Sequence, residues 1–390
     1  MDYANVVLWG LFIFLLTVMI GAAVNKTDSF LSEGFGVDCV DFIPFKGYGL
    51  YQTMEGCIFV SVASYRDNEC SVTLDTLFRG ARYPERIFVG VCEQNKEGMT
   101  EELCLSSKVM KYKDNIRIIS IDHKKAKGPT YARYYCSELW RGEQYFLQID
   151  SHTTFIKDWD IDLIEMINSI KADPKESSRP VLSVYPPTKE QMTLSGFPEF
   201  DNVTLKDDHI PSFLSGWSNP SDKPRRSNKP FSAAGFIFLE SSFLYTVPFD
   251  PNLSHLFQGE ETLFSARLWT NGWDFYTPNK KVAYHHYNRN KAPLYHQDLK
   301  DSSECRSKAE KRVLFLLGLV PKQSVADDFL RDYNYYGLGK FRAIGDFWKT
   351  CGIEHSTKVT ERWNDSNKPS SGYDGWWFRR DGHTKIKKWT

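Results

Sequence analysis

From Cys57 onward the chain alternates short apolar runs with stretches of helical period. Ile58–Ser64 (IFVSVAS), Arg86–Cys92 (RIFVGVC), Ile116–Ile121 (IRIISI), Tyr145–Ile149 (YFLQI) and Val181–Tyr185 are short and rich in β-branched and aromatic residues. They read as strands buried on both faces, the kind found in parallel sheets. Between them, Cys70–Ala81 places Val72, Leu74, Leu77, Phe78 and Ala81 on one helical stripe. Pro129–Trp140 opens with a proline suited to a first helical turn, and Ile161–Ile170 is again amphipathic. Further on, Phe231–Glu240, Phe275–Pro278 and Lys281–Tyr287 read as strands, and Glu260–Trp269 and Ser303–Leu317 as helices. Pro186–Pro230, dense in proline, reads as one long loop, of a length usually kept for function. Strand and helix alternating at this pace predict an α/β domain, a mostly parallel sheet with helices on its faces.

The N-terminus follows a different pattern. Asn5–Val24 contains no charged residue and is long enough, at about 1.5 Å per residue, to span a bilayer core of roughly 30 Å. The segment before it has no Lys or Arg and the apolar run exceeds a signal-peptide core, so a retained single-pass anchor is expected over a cleaved signal. The expected division is a short tail (1–4), an anchor (5–24), a Gly-rich stem (25–56), a catalytic domain (57–353) and a C-terminal extension (354–390). Lys and Arg together number 49 and so do Asp and Glu, and this balance argues against a nucleic-acid binder that works by broad phosphate neutralisation. The eight cysteines show no CxxC spacing, which excludes the common zinc ribbons. Cys57, Cys92 and Cys136 sit in apolar contexts and are expected to be free. Cys39, Cys104, Cys305 and Cys351 are the candidates for pairing in a lumenal domain.

In open α/β sheets ligands sit beyond the carboxyl ends of strands. The residues there are Arg66-Asp67, Glu93-Gln94, Asp150-Ser151-His152 and His285-His286. Neither GxGxxG nor GxxxxGK[ST] is present, so neither a dinucleotide nor a P-loop nucleotide is suggested. On an extended chain Asp150 and His152 point to the same side and can share one divalent cation. Adjacent histidines on a strand point opposite ways, so one of His285 and His286 can join them. The same residues in a protein without a metal would be a strand-end cap and satisfied histidines. A mixed carboxylate–imidazole set that must also take phosphate oxygens suits manganese, with magnesium the alternative. Gln258-Gly259-Glu260-Glu261 precedes a helix; one Glu complements the helix dipole and the other is free for a second task.

Together these segments carry a resemblance. Val60–Asp67 (VSVASYRD), Val89–Asn95 (VGVCEQN), Gln148–His152 (QIDSH), Gly259–Glu261 (GEE), His285–Arg289 (HHYNR) and the later Gly337–Arg342 (GLGKFR) occur in the order of one family. The sequence resembles the GT-A-fold polypeptide α-N-acetylglucosaminyltransferases that modify hydroxyproline or Thr. That resemblance implies a GT-A-like fold and retaining transfer of GlcNAc from UDP-GlcNAc to a Thr, Ser or hydroxyproline hydroxyl of a polypeptide. It implies a metal motif of Asp150 and His152 completed by His285, with His286 as fallback. Ser64, Arg66, Glu93, Arg133 and Asp150 fall where the nucleotide-sugar is held, and Glu260 and Glu261 fall near donor sugar and acceptor. The apolar N-terminus departs from cytosolic members and implies a type II protein of the Golgi or endoplasmic reticulum, with a tethered, cytosol-facing enzyme as the alternative. Two other readings of the same residues are a metal-dependent phosphoesterase and a non-catalytic, membrane-tethered sugar-binding protein.

Overall fold

The computed structural model describes residues 48–205, 210–288, 292–299, 302–355, 377–379 and 385–386, all within one compact unit, Val40–Thr390. The proposed anchor (5–24) and most of the stem and C-terminal extension lie outside the described residues. Among the described residues no helix is long and apolar enough to cross a membrane.

Twelve strands organise the part of the chain that holds the site. They are β1 (Met54–Tyr65), β2 (Ile87–Asn95), β3 (Ile116–Asp122), β4 (Glu143–Asp150), β5 (Thr153–Phe155), β6 (Pro180–Ser183), β7 (Phe197–Leu205), β8 (Pro211–Ser218), β9 (Arg225–Arg226), β10 (Phe236–Glu240), β11 (Asp274–Thr277) and β12 (Ala283–His285). Eight form one sheet in the order β3-β2-β1-β4-β10-β6-β11-β9. β1 runs parallel to β2 and β4, β2 to β3, and β6 to β11. β10 is antiparallel to both neighbours and β9 is antiparallel to β11. The result is the expected α/β architecture with a mixed, mostly parallel sheet.

The apolar runs form this sheet because its central strands are covered on both faces. Every residue from Ile58 to Val62 in β1 is buried, as are Tyr145–Ile149 in β4. The helix Cys70–Gly80 covers one face with Leu74, Leu77 and Phe78. It is locked to the helix Trp159–Lys171 by Trp159, whose indole N–H donates to the Leu77 carbonyl at 2.8 Å. Burying a large apolar side chain in this way contributes roughly 1.5–3 kcal/mol. Ends differ from the sequence reading by a few residues; the second helix, for instance, stops at Ser137 rather than Trp140.

Two expectations are corrected. Pro186–Pro230 is not one long loop: β7 and β8 pair as an antiparallel ribbon within it. Its register shifts between Phe200 and Asn202. The extra residue lets Phe200 and Val203, three positions apart, share a buried face with Phe213 and Phe231. A bulge breaks the period of two by which strands are recognised, and Pro198 and Pro211 mask the pattern further. Among the cysteines, Cys104 pairs with Cys70, which lay in a predicted helix and was not expected to pair. Cys305 is disulfide-bonded too, whereas Cys351 is free and buried; Cys57, Cys92 and Cys136 are free, as expected.

Candidate functional site

β4 ends at Asp150, and the chain turns at Ser151-His152 before entering β5. Strand alternation is therefore not what brings Asp150 and His152 together; the turn is. β5 pairs antiparallel with β12, with His285 opposite Thr153, and the His286 N–H donates to the His152 carbonyl at 3.1 Å. This short ladder carries His285 across 135 residues of chain to Asp150, where its Nε2 lies 3.1 Å from Oδ2. Ligand atoms of Asp150, His152 and His285 all lie within 4.8 Å of one another, the one such metal-competent group of three among the described residues. His286 is not in it. Its ring points to the other side of the ladder, with Nδ1 2.6 Å from Glu69 and Nε2 3.1 Å from Thr154.

A second ring of groups orients the first. Asp67, fully buried after β1, has Oδ2 2.8 Å from His152 Nδ1 and accepts the Ser151 hydroxyl at 2.5 Å. With Nδ1 held by a carboxylate, Nε2 is the His152 nitrogen left to ligate, which is the carboxylate–histidine arrangement common at metal sites. His285 Nδ1 is buried without a hydrogen-bond partner among the described residues. Sequence reasoning marked Asp67 as a strand-end polar residue but gave it no role; its position right after an apolar strand was the usable signal.

On the other side of Asp150 sits Arg133, buried on the helix Pro129–Ser137. One guanidinium nitrogen lies 3.1 Å from Asp150 Oδ1, and the other lies 2.5 Å from both oxygens of Glu260. Burial works against the Asp150 charge, but the hydrogen bond to His285 and the Arg133 cation outweigh it and hold the carboxyl well below its usual range. Burial likewise opposes the Arg133 charge, and Glu260 and Asp150 more than restore it. Burial pushes Glu260 up, with Arg133 pulling the other way.

Glu260 and Glu261 open the helix Glu260–Thr270 behind Gly259, whose φ of +88° favours glycine. Both Glu261 oxygens are occupied: one accepts the Ala234 N–H and the other the Tyr185 hydroxyl, each at 2.8 Å. Burial pushes its carboxyl up to about 7 against those two bonds. A carboxyl whose folded pKa lies above its unfolded value favours the folded state at low pH and loses that contribution as pH rises through the folded pKa. Glu261→Gln removes the effect. The variant is expected to gain stability relative to the parent by ~2 kcal/mol between pH 5 and pH 8, measured by denaturant unfolding at each pH.

The remaining sequence-predicted residues sit at the strand ends nearby. Ser64 is buried at the end of β1 with its hydroxyl unpaired among the described residues. Arg66 has a φ of +47° and bonds Glu102 at 3.1 Å and Asp298 at 2.8 Å. Glu93 is buried, accepts the Cys104 N–H at 2.8 Å, and is raised by burial. Beyond β2 and β3 an open cleft of about 380 Å³ is lined by Glu93, Asn95, Lys96, Ser120 and Asp122 among others.

Residues 57–114 and 106–357 match the model of a family described as Glycosyltransferase (GlcNAc). No curated protein matches the sequence. Among solved structures, GalNAc-T7 with UDP, GalNAc and Mn2+ is similar at a TM-score of 0.48 and 14% identity, over 74% of this chain and 56% of that one. S. aureus TarS 1–349 in complex with UDP-GlcNAc is similar at a TM-score of 0.41 and 13% identity, over 85% of this chain and 99% of that one. This chain thus spans little more than half the length of the GalNAc-T7 chain.

Proposed function

Because the chain belongs to the GlcNAc glycosyltransferase family, we propose that it moves N-acetylglucosamine from UDP-GlcNAc to a polypeptide hydroxyl, with a divalent ion held by Asp150, His152 and His285. The observation behind this reading is the meeting of those three side chains at the carboxyl end of β4. The donor set fits the ion: one carboxylate and two imidazoles leave positions for phosphate oxygens, and Asp67 fixes the His152 tautomer. Manganese suits this mixture better than magnesium, which prefers oxygen ligands throughout.

When bound, such an ion acts as a Lewis acid toward the departing diphosphate. The other tasks fall to the chain's own groups. Arg133 supplies a fixed cation at Asp150 that needs no reorganisation during reaction. Glu260 is held in place by Arg133 at the mouth of the helix Glu260–Thr270. Ser64, Arg66 and Glu93, at the ends of β1 and β2, serve the nucleotide end of the donor. The product is α-linked, with retention, and no covalent nucleophile is invoked. The acceptor is a Thr, Ser or hydroxyproline side chain. A lumenal, type II setting with 5–24 as anchor suits the Cys70–Cys104 disulfide, since such bonds persist in oxidising compartments.

The test is a donor-by-acceptor screen with the full chain in detergent, reading UDP release and peptide mass. UDP-GlcNAc turnover that stops on chelation and returns with manganese is the expected result. Turnover that ignores chelation, or a clear preference for UDP-GalNAc, would overturn the metal or the donor assignment respectively.

A further inference from the structure

Directly in front of Asp150 lies a strap of three small residues, Ala233-Ala234-Gly235, that leads into β10. Phe236 pairs with Ile149 in antiparallel register, so Gly235 comes opposite Asp150. A Cβ on Gly235 would stand 2.7 Å from Asp150 Oδ2, too close for any real side chain. The glycine is required by that approach and not by its backbone conformation, because its φ lies outside the left-handed region.

The strap is held at successive backbone groups by side chains from three elements. The Ala233 N–H donates to Ser183 Oγ at 2.9 Å, and that hydroxyl donates in turn to the Phe236 carbonyl at 2.6 Å. The Ala234 N–H donates to Glu261 at 2.8 Å, and the Ala234 carbonyl accepts from the Gln148 amide at 2.7 Å. Ser183 and Gln148 are buried, and the Tyr185 hydroxyl fixes the far oxygen of Glu261. Buried networks of this kind rigidify what they hold, and Gln148 spends its amide N–H on the strap while its Oε1 has no partner among the described residues. Arg133 and His285 take one Asp150 oxygen each, and the strap backs onto Oδ2, the oxygen that faces His285.

We infer that Glu261, Gln148 and Ser183 are positioning residues that set the metal affinity of the site by clamping the Ala233–Gly235 strap against Asp150. This rests on the proposed metal reading and assigns Glu261 to the support of Asp150 rather than to the sugar. Groups that orient a metal ligand typically change affinity by about 10–100-fold when removed.

The experiment is calorimetric titration of manganese into the metal-free full chain in detergent, alongside thermal melts in chelator. Gly235→Ala and Glu261→Ala are each expected to weaken manganese binding by about 10–100-fold. Glu261→Gln, which keeps an acceptor for the Ala234 N–H, is expected to stay within about threefold of the parent. A merely structural strap would instead lower the chelator melting point and leave affinity unchanged in the folded protein. Should either alanine variant fail to fold, Ser183→Ala, a smaller deletion, bears the test with an expected loss of about fivefold or more. Folded variants that bind manganese as the parent does overturn the inference. Asp150→Ala binding as tightly as the parent would overturn the metal reading itself, a separate outcome.

Discussion

Asp150→Ala is expected to lower kcat/KM for UDP-GlcNAc turnover by about 10³-fold or more, with manganese affinity falling in parallel. The magnitude follows from losing several kcal/mol of charge stabilisation at the departing diphosphate, where each 1.36 kcal/mol is about tenfold in rate. Asp150 is the only carboxylate of the three-residue group, and its charge is sustained by His285 and Arg133 against burial. Removing it does not strand Arg133, whose guanidinium keeps both oxygens of Glu260. The fold should therefore persist, and the melting point in chelator should stay close to that of the parent. Asp150→Asn separates charge from shape: it keeps a similar outline but should lose nearly as much activity. Steady-state UDP release with manganese titrated at each substrate concentration measures both. Near-parental turnover in either variant would count against the site.

Arg133→Met should cost about 3–5 kcal/mol of stability, the usual price of leaving a buried ion-pair partner uncompensated. Without Arg133, Glu260 and Asp150 face one another with no cation between them. Burial already pushes Glu260 up, and Arg133 is what opposes it. The double variant Arg133→Met/Glu260→Gln removes one of the two stranded charges and is expected to recover at least half of that loss. It should not recover turnover, because the fixed cation beside Asp150 is still missing. Denaturant melts and initial rates on the two variants together make the check. Equal stability in the single and double variants would show that Glu260 does not depend on Arg133.

The sheet was legible because its central strands announce themselves. Ile58–Val62 and Tyr145–Ile149 are apolar at all but one position each, Ser61 and Gln148, and buried throughout, the mark of strands covered on both faces. The strand-end rule then pointed to Asp150, His152 and Arg66 without any coordinates. The β7–β8 ribbon escaped because its shift at Phe200/Asn202 breaks the very alternation by which a strand is read. Cys70 escaped as a disulfide partner because a helical stripe says nothing of what lies against its first turn.

Local period and composition were enough to give the class of fold and the residue types gathered near the strand ends. That His285 rather than His286 joins Asp150 came from the packed fold, because the β5–β12 pairing fixes which ring faces inward. That fold alone assigned Asp67 to His152, Arg133 to Asp150 and Glu260, and Glu261 to the strap before β10. Those pairings join residues from 17 to 127 positions apart. They arise from how the sheet is ordered, which no local pattern encodes.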